Sequence, residues 1–175
     1  MSYTVKGIKT FRGSDSNGFN GTLLRDGQKV AFVIDAGGGG PVKFEWIDRA
    51  MPKVNVPWIN WQGAAFTMRC LPEEARLYEF LRGKTVELNN FRGGTTTTAI
   101  DPEIFIGQLI YKATNDKRDK RACKTKTIFH LRSDPEGSWK QFNSPFNKRM
   151  KDHIISKYGD QVDEILNETI GQVAE

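Results

Sequence analysis

Between Lys112 and Arg132 the chain carries eight basic residues, Lys112, Lys117, Arg118, Lys120, Arg121, Lys124, Lys126 and Arg132, opposed only by Asp116 and Asp119. Lys140, Lys148, Arg149, Lys151 and Lys157 follow, whereas the stretch from Asp160 onward holds five acids and neither Lys nor Arg. A basic run with Tyr111, Phe129 and Trp139 nearby suits contact with a phosphate backbone, whose affinity comes from displaced counterions. The same side chains also suit a structural role, since cations at a helix C-terminus complement the macrodipole and lysines on a hairpin guard its edge. The candidate binding residues are therefore Lys117, Arg118, Lys120, Arg121, Lys124, Lys126, Arg132 and Trp139, toward a nucleic acid or a partner protein.

Other chemistries find less support. His130 and His153 are the two histidines, and without paired cysteines or a His-x-x-x-His spacing they do not compose a zinc site. Neither Cys70 nor Cys123 sits in a nucleophile signature, and no serine occupies a GxSxG elbow. A triad assembles in space, so His130 stays open as a general base with remote partners. Asp35, Glu45 and Asp48 are open as a divalent-metal cluster of nuclease type if they meet near a strand end, with a solvated loop as the plainer reading. The glycines Gly37 to Gly40 lack the GxxxxGK[ST] pattern and lead into a strand, which suits a flexible hairpin loop better than a phosphate cradle. Pro52 to Trp61 contains two of the four tryptophans, Trp58 and Trp61, as buried packing or as an exposed anchor for a protein. No catalytic or metal-binding set and no cofactor site emerges, and the balance favours a non-enzyme.

The elements that must position these residues read as α+β. Four strands are predicted in the first fifty residues, at about 4–12, 19–25, 29–35 and 42–47, with Asp26-Gly27 as a tight turn. Period-two alternation puts Val30, Phe32, Ile34, Phe44 and Trp46 on one buried face. Residues 48–70 read as irregular, because Pro52, Pro57 and Gly63 interrupt any period. A helix over about 72–82 starts at Pro72 and stops at Gly83. A short strand is expected at 85–88, followed by a mobile Gly93–Thr98 loop. Asp101-Pro102-Glu103 opens a helix to about 119, with Phe105, Ile106, Leu109, Ile110 and Ala113 inward. A hairpin of 127–131 with 139–143 comes next. Two helices follow, one opened by Ser144-Pro145 and ended by Gly159, the last capped by Asp160 with Val162, Ile165 and Leu166 inward. The organisation is a single domain over 1–175, a β-rich half (about 1–50) and a mixed helix and hairpin half (about 71–175).

The chain has 175 residues with 38% hydrophobic and 27% charged side chains, an ordinary globular balance that can bury a core. Its net charge of +5 suits a polyanionic or acidic partner but is also a normal solubility charge. Two distant cysteines outside any CxxC pattern point to a reducing compartment. Met1 to Lys6 lacks a leader's apolar core, and no run approaches a membrane span, so a cytoplasmic protein without membrane contact is expected.

Lys6-Gly7-Ile8-Lys9, Gly18-Phe19, Leu24-Arg25-Asp26-Gly27, Lys29 to Val33, Phe44-Glu45-Trp46, Cys123 to Thr127, Gly137-Ser138-Trp139, Tyr158-Gly159-Asp160 and Glu164 to Asn167 together resemble a recurring type of small uncharacterised accessory protein of tailed bacteriophages. These are turns, strands and caps, so the resemblance transfers no functional residue. It implies a host bacterial cytoplasm and action by binding, inhibiting a host defence or redirecting a host machine. Three functions follow in order: a non-catalytic accessory protein engaging a host complex through its basic surface, a direct DNA- or RNA-binding protein, and a small metal-dependent nuclease.

Overall fold

The computed structural model describes residues 1–59, 63–89 and 94–170. The chain is mixed α+β, with an N-terminal antiparallel four-stranded sheet followed by helices and further strands. It divides into two compact units, Met1–Tyr111 and Lys112–Glu175.

In the first unit, β1 (Tyr3–Arg12), β2 (Asn17–Arg25), β3 (Gln28–Asp35) and β4 (Lys43–Trp46) form a meander in chain order. Asp26 and Gly27 both take positive φ, 49° and 82°, as a primed two-residue turn requires. The buried face differs from the alternating set Val30, Phe32, Ile34, Phe44, Trp46. Leu23 pairs with Ala31 and Leu24 with Lys29, so Val30 is an extra residue in β3. This bulge turns Ala31 and Val33 inward, opposite Trp46 and Phe44, and gives Phe32 and Ile34 the other face. Leu23, Ala31 and Val33 are fully buried, while Phe32 is half-buried. Leu23→Ala is therefore expected to cost about 2–5 kcal/mol, and Phe32→Ala less than half as much, in urea unfolding. A larger loss at Phe32 would restore the unbulged register.

The glycine loop is not free. Gly37 is buried, its carbonyl accepts from the amides of Asp15 and Ser16, and its own amide donates to Asp35 Oδ1. A Cβ there would stand 2.5 Å from the Ser16 carbonyl oxygen, so only glycine fits against the β1–β2 turn.

Residues 48–70 are not irregular: β5 (Val54–Ile59) and β6 (Ala65–Cys70) pair antiparallel. Pro57 is tolerated because β5 has a single neighbouring strand. Trp61 lies outside the described residues, as does Gly93. The threonine run is likewise a strand. Thr95–Ala99 (β8) pairs with Thr85–Asn89 (β7), since β-branched threonines favour extended backbone even in a low-complexity run.

Helix α1 (Pro72–Leu81) follows β6, and α2 (Pro102–Ala122) follows β8. Asp101 Oδ1 accepts from Ile104 N–H at 2.8 Å, the cap that the sequence implies. Tyr3, Phe80 and Phe105 form an aromatic triangle with centroids 5.0–6.0 Å apart, joining β1 to both helices. Beside it, the buried Glu73 takes a two-point contact from Arg25 at 3.0 and 3.1 Å and a further one from Arg76. The Glu73 amide donates to Asp48 Oδ2. Burial pushes the Tyr3 phenol up to about 12, and its buried hydroxyl has no hydrogen-bond partner among the described residues. Since the folded pKa lies above the unfolded value of 10.0, this contribution is full below pH 10 and is lost as pH rises toward 12. Tyr3→Phe is expected to remain stable at neutral pH and to lose less stability than wild type between those limits. Parallel alkaline curves for both would contradict it.

In the second unit, β9 (Thr127–Leu131) is the central strand between β10 (Lys140–Phe142) and β11 (Val162–Ile165). The sequence placed Val162 to Ile165 in a helix. They form a strand because β9 buries four of its five residues and needs a neighbour on each edge. A short 3-10 turn (Gly159–Gln161) precedes β11 and a five-residue helix α4 (Leu166–Ile170) follows it. Helix α3 (Lys148–Tyr158) is capped by Asn147, whose side chain accepts from the Met150 amide, and starts later than Ser144-Pro145 suggests. Phe129, Leu131, Ile154 and Ile165 are its core. Among the described residues, no helix is long and apolar enough to cross a membrane.

Candidate functional surface

The basic run begins on the last turns of α2. At 100° per residue, Asn115, Asp119 and Ala122 fall on one side of the helix, and these are the half-buried positions. Lys117, Lys120 and Arg121 fall on the opposite side and are exposed, with Arg118 on its flank. Lys117, Lys120, Arg121 and Lys124 make no ion pair with any described residue. Arg118 is engaged, its Nε 3.0 Å from Asp119 Oδ1.

The chain then turns sharply. The amides of Cys123, Lys124, Thr125 and Lys126 donate back to Asp119, Arg121, Ala122 and Ala122. Asn167, more than forty residues downstream, clamps this turn: its Nδ2 donates to the Cys123 and Lys126 carbonyls at 3.1 and 2.8 Å, and its Oδ1 accepts from the Ile128 amide at 2.8 Å. One side chain thus satisfies three main-chain groups where helix passes to strand. Asn167→Ala is expected to cost about 2–3 kcal/mol in urea unfolding, near 1 kcal/mol per lost bond. A loss below about 0.5 kcal/mol would show that water replaces the clamp.

Beyond the turn, Lys126 Nζ donates to Gln141 Oε1 of β10 at 3.1 Å, and Trp139 immediately precedes that strand. Trp139 is 41% exposed and lies against His130, centroids 5.6 Å apart. Arg132 is partly neutralised, with Nε 4.0 Å from Asp163 Oδ1. Among the described residues, the eight candidates therefore separate: four unpaired cations on the helix and turn, three cations already partnered, and one exposed aromatic.

His130 Nδ1 lies 3.3 Å from Asp163 Oδ2, and Nε2 lies 3.4 Å from the Pro135 carbonyl. Both ring nitrogens thus face oxygen atoms. The ring lies between Asp163 of β11 and the Arg132–Trp139 loop. His153 is exposed and packs edge-on against Phe142. Burial raises both thiol pKa values, at Cys70 and Cys123, which lowers their thiolate fraction.

Asp35, Glu45 and Asp48 do not meet. Asp35 ends β3 beside the glycine loop, while Asp48 follows Ile47, whose amide bonds to Val30 at the far end of that hairpin. Asp48 serves as a remote cap for α1. No group of three His, Cys, Asp or Glu among the described residues is arranged to hold a metal ion.

Asn167 and Asp163 were missed by sequence reasoning. Each acts across more than thirty residues, and nothing in local spacing marks a polar side chain as the partner of a distant turn. What the fold and surface define is an α+β chain with an exposed cationic face. No family model, curated protein or solved structure matches it.

Proposed function

We propose that the chain is a non-catalytic accessory binding protein of phage type, which engages a host complex handling defence or nucleic acid through the basic end of α2 and the turn after it. One observation supports this reading: Lys117, Lys120, Arg121 and Lys124 are exposed without a carboxylate partner among the described residues, on an Asn167-clamped scaffold. Cations placed only for the helix dipole need occupy one turn. These continue past the helix end into a pinned turn, which holds their bases still and reduces the ordering that binding requires.

An acidic protein surface and a phosphate backbone both answer such charge. They are separated by capture from bacterial lysate with and without nuclease. A protein partner retained after nuclease treatment is expected. A partner released by nuclease would overturn the reading in favour of direct DNA or RNA binding.

A further inference from the structure

The first unit holds a cleft of about 630 Å³ that the basic surface does not involve. Trp58 and Ile59 of β5, Phe66 of β6 and Leu81 of α1 line it, together with Arg82 and Lys84. Ile59 and Phe66 are 59% and 43% exposed, a concentration of apolar surface beside a concavity. Its volume lies within the range of small-molecule sites, which are apolar with a few placed polar groups.

The charged residues that line it have one sign. No acidic residue lines the cleft among the described residues. Arg82 is taken up by Glu79 at 2.8 Å and by the Pro57 carbonyl. Lys84 has no carboxylate partner among the described residues, and its ammonium rests over the Phe80 ring, 3.4 Å from the centroid. Trp58 is held edge-on by Tyr78 at 4.7 Å, so the aromatic wall is fixed. An apolar cleft whose lining includes a cation with no carboxylate partner among the described residues matches a hydrocarbon body ending in a single negative charge.

We propose that this cleft binds an amphipathic monocarboxylate, its chain between Trp58, Ile59 and Phe66 and its carboxylate toward Lys84. The probe is 11-(dansylamino)undecanoate, whose emission rises in an apolar site, titrated into the full chain. Saturable one-to-one binding is expected, displaced by decanoate and much less by decyltrimethylammonium. Ala65→Trp fills the cleft and Phe66→Asp places a carboxylate in its wall. Each is expected to weaken the probe at least about tenfold. Both positions are exposed, and unchanged melting temperatures verify the fold. Lys84→Glu is expected to weaken decanoate about fivefold and leave decanol unchanged. Absence of saturable binding, equal displacement by the cationic analogue, or affinity indifferent to Ala65→Trp and Phe66→Asp would each overturn the proposal. An equal effect of Lys84→Glu on decanoate and decanol would overturn its anionic part. The competition series on wild type stands even if a variant fails to fold.

Discussion

Replacing Phe129 with alanine is expected to destabilise the Lys112–Glu175 unit by about 3–5 kcal/mol, the range for deleting a large buried ring. Phe129 is 1% exposed at the centre of β9. It stacks on Phe142 and tilts against Tyr158, both at 5.4 Å, so its removal loosens the contacts of β10 and α3 together. Four buried residues form this core, and a small core has little with which to fill a cavity. Urea unfolding followed by hydrogen exchange of the β9 amides measures the loss. Phe129→Leu should recover part of it, because volume is partly kept. A loss under about 1 kcal/mol would mean that β9 does not centre this core.

The second large effect concerns charge. Lys117→Glu, Lys120→Glu and Arg121→Glu together are expected to weaken binding of the captured partner on the order of 100-fold at low salt, because like charges set against one another cost several kcal/mol. The difference should shrink as salt rises and screening shortens the reach of exposed charges. The fold should be untouched, since these side chains are exposed and pair with no described residue. Lys148→Glu, Arg149→Glu and Lys157→Glu together, on α3, make the same change of net charge and should change affinity little. Equal losses for both variants would show that overall charge, not this face, governs binding.

Local chemistry made much of the fold legible. Asp101-Pro102 and the apolar period after it marked α2, Gly83 the end of α1, and Asp26-Gly27 the first tight turn. The errors came where pairing partners decide. The Val30 bulge cannot be seen in β3 alone, because it exists only relative to β2, and it reversed which of Phe32 and Val33 is inside. Thr95–Ala99 reads as a loop until β7 supplies its ladder. Val162 and Ile165 suit a helix face three residues apart, yet the open edge of β9 draws them into a strand. The candidate surface was legible as a list of cations and not as an arrangement. Which of them are free depends on Asp119, Gln141 and Asp163, and the turn that presents them depends on Asn167.

The central claim, that the basic end of α2 and its turn form the working surface, is tested most directly by hydrogen exchange on the chain alone and bound to its captured partner. Protection is expected across Lys117 to Lys126 and in the segment around Trp139, with the β1–β4 sheet unchanged. Protection confined to other segments, with Lys117 to Lys126 exchanging as in the free chain, would contradict it.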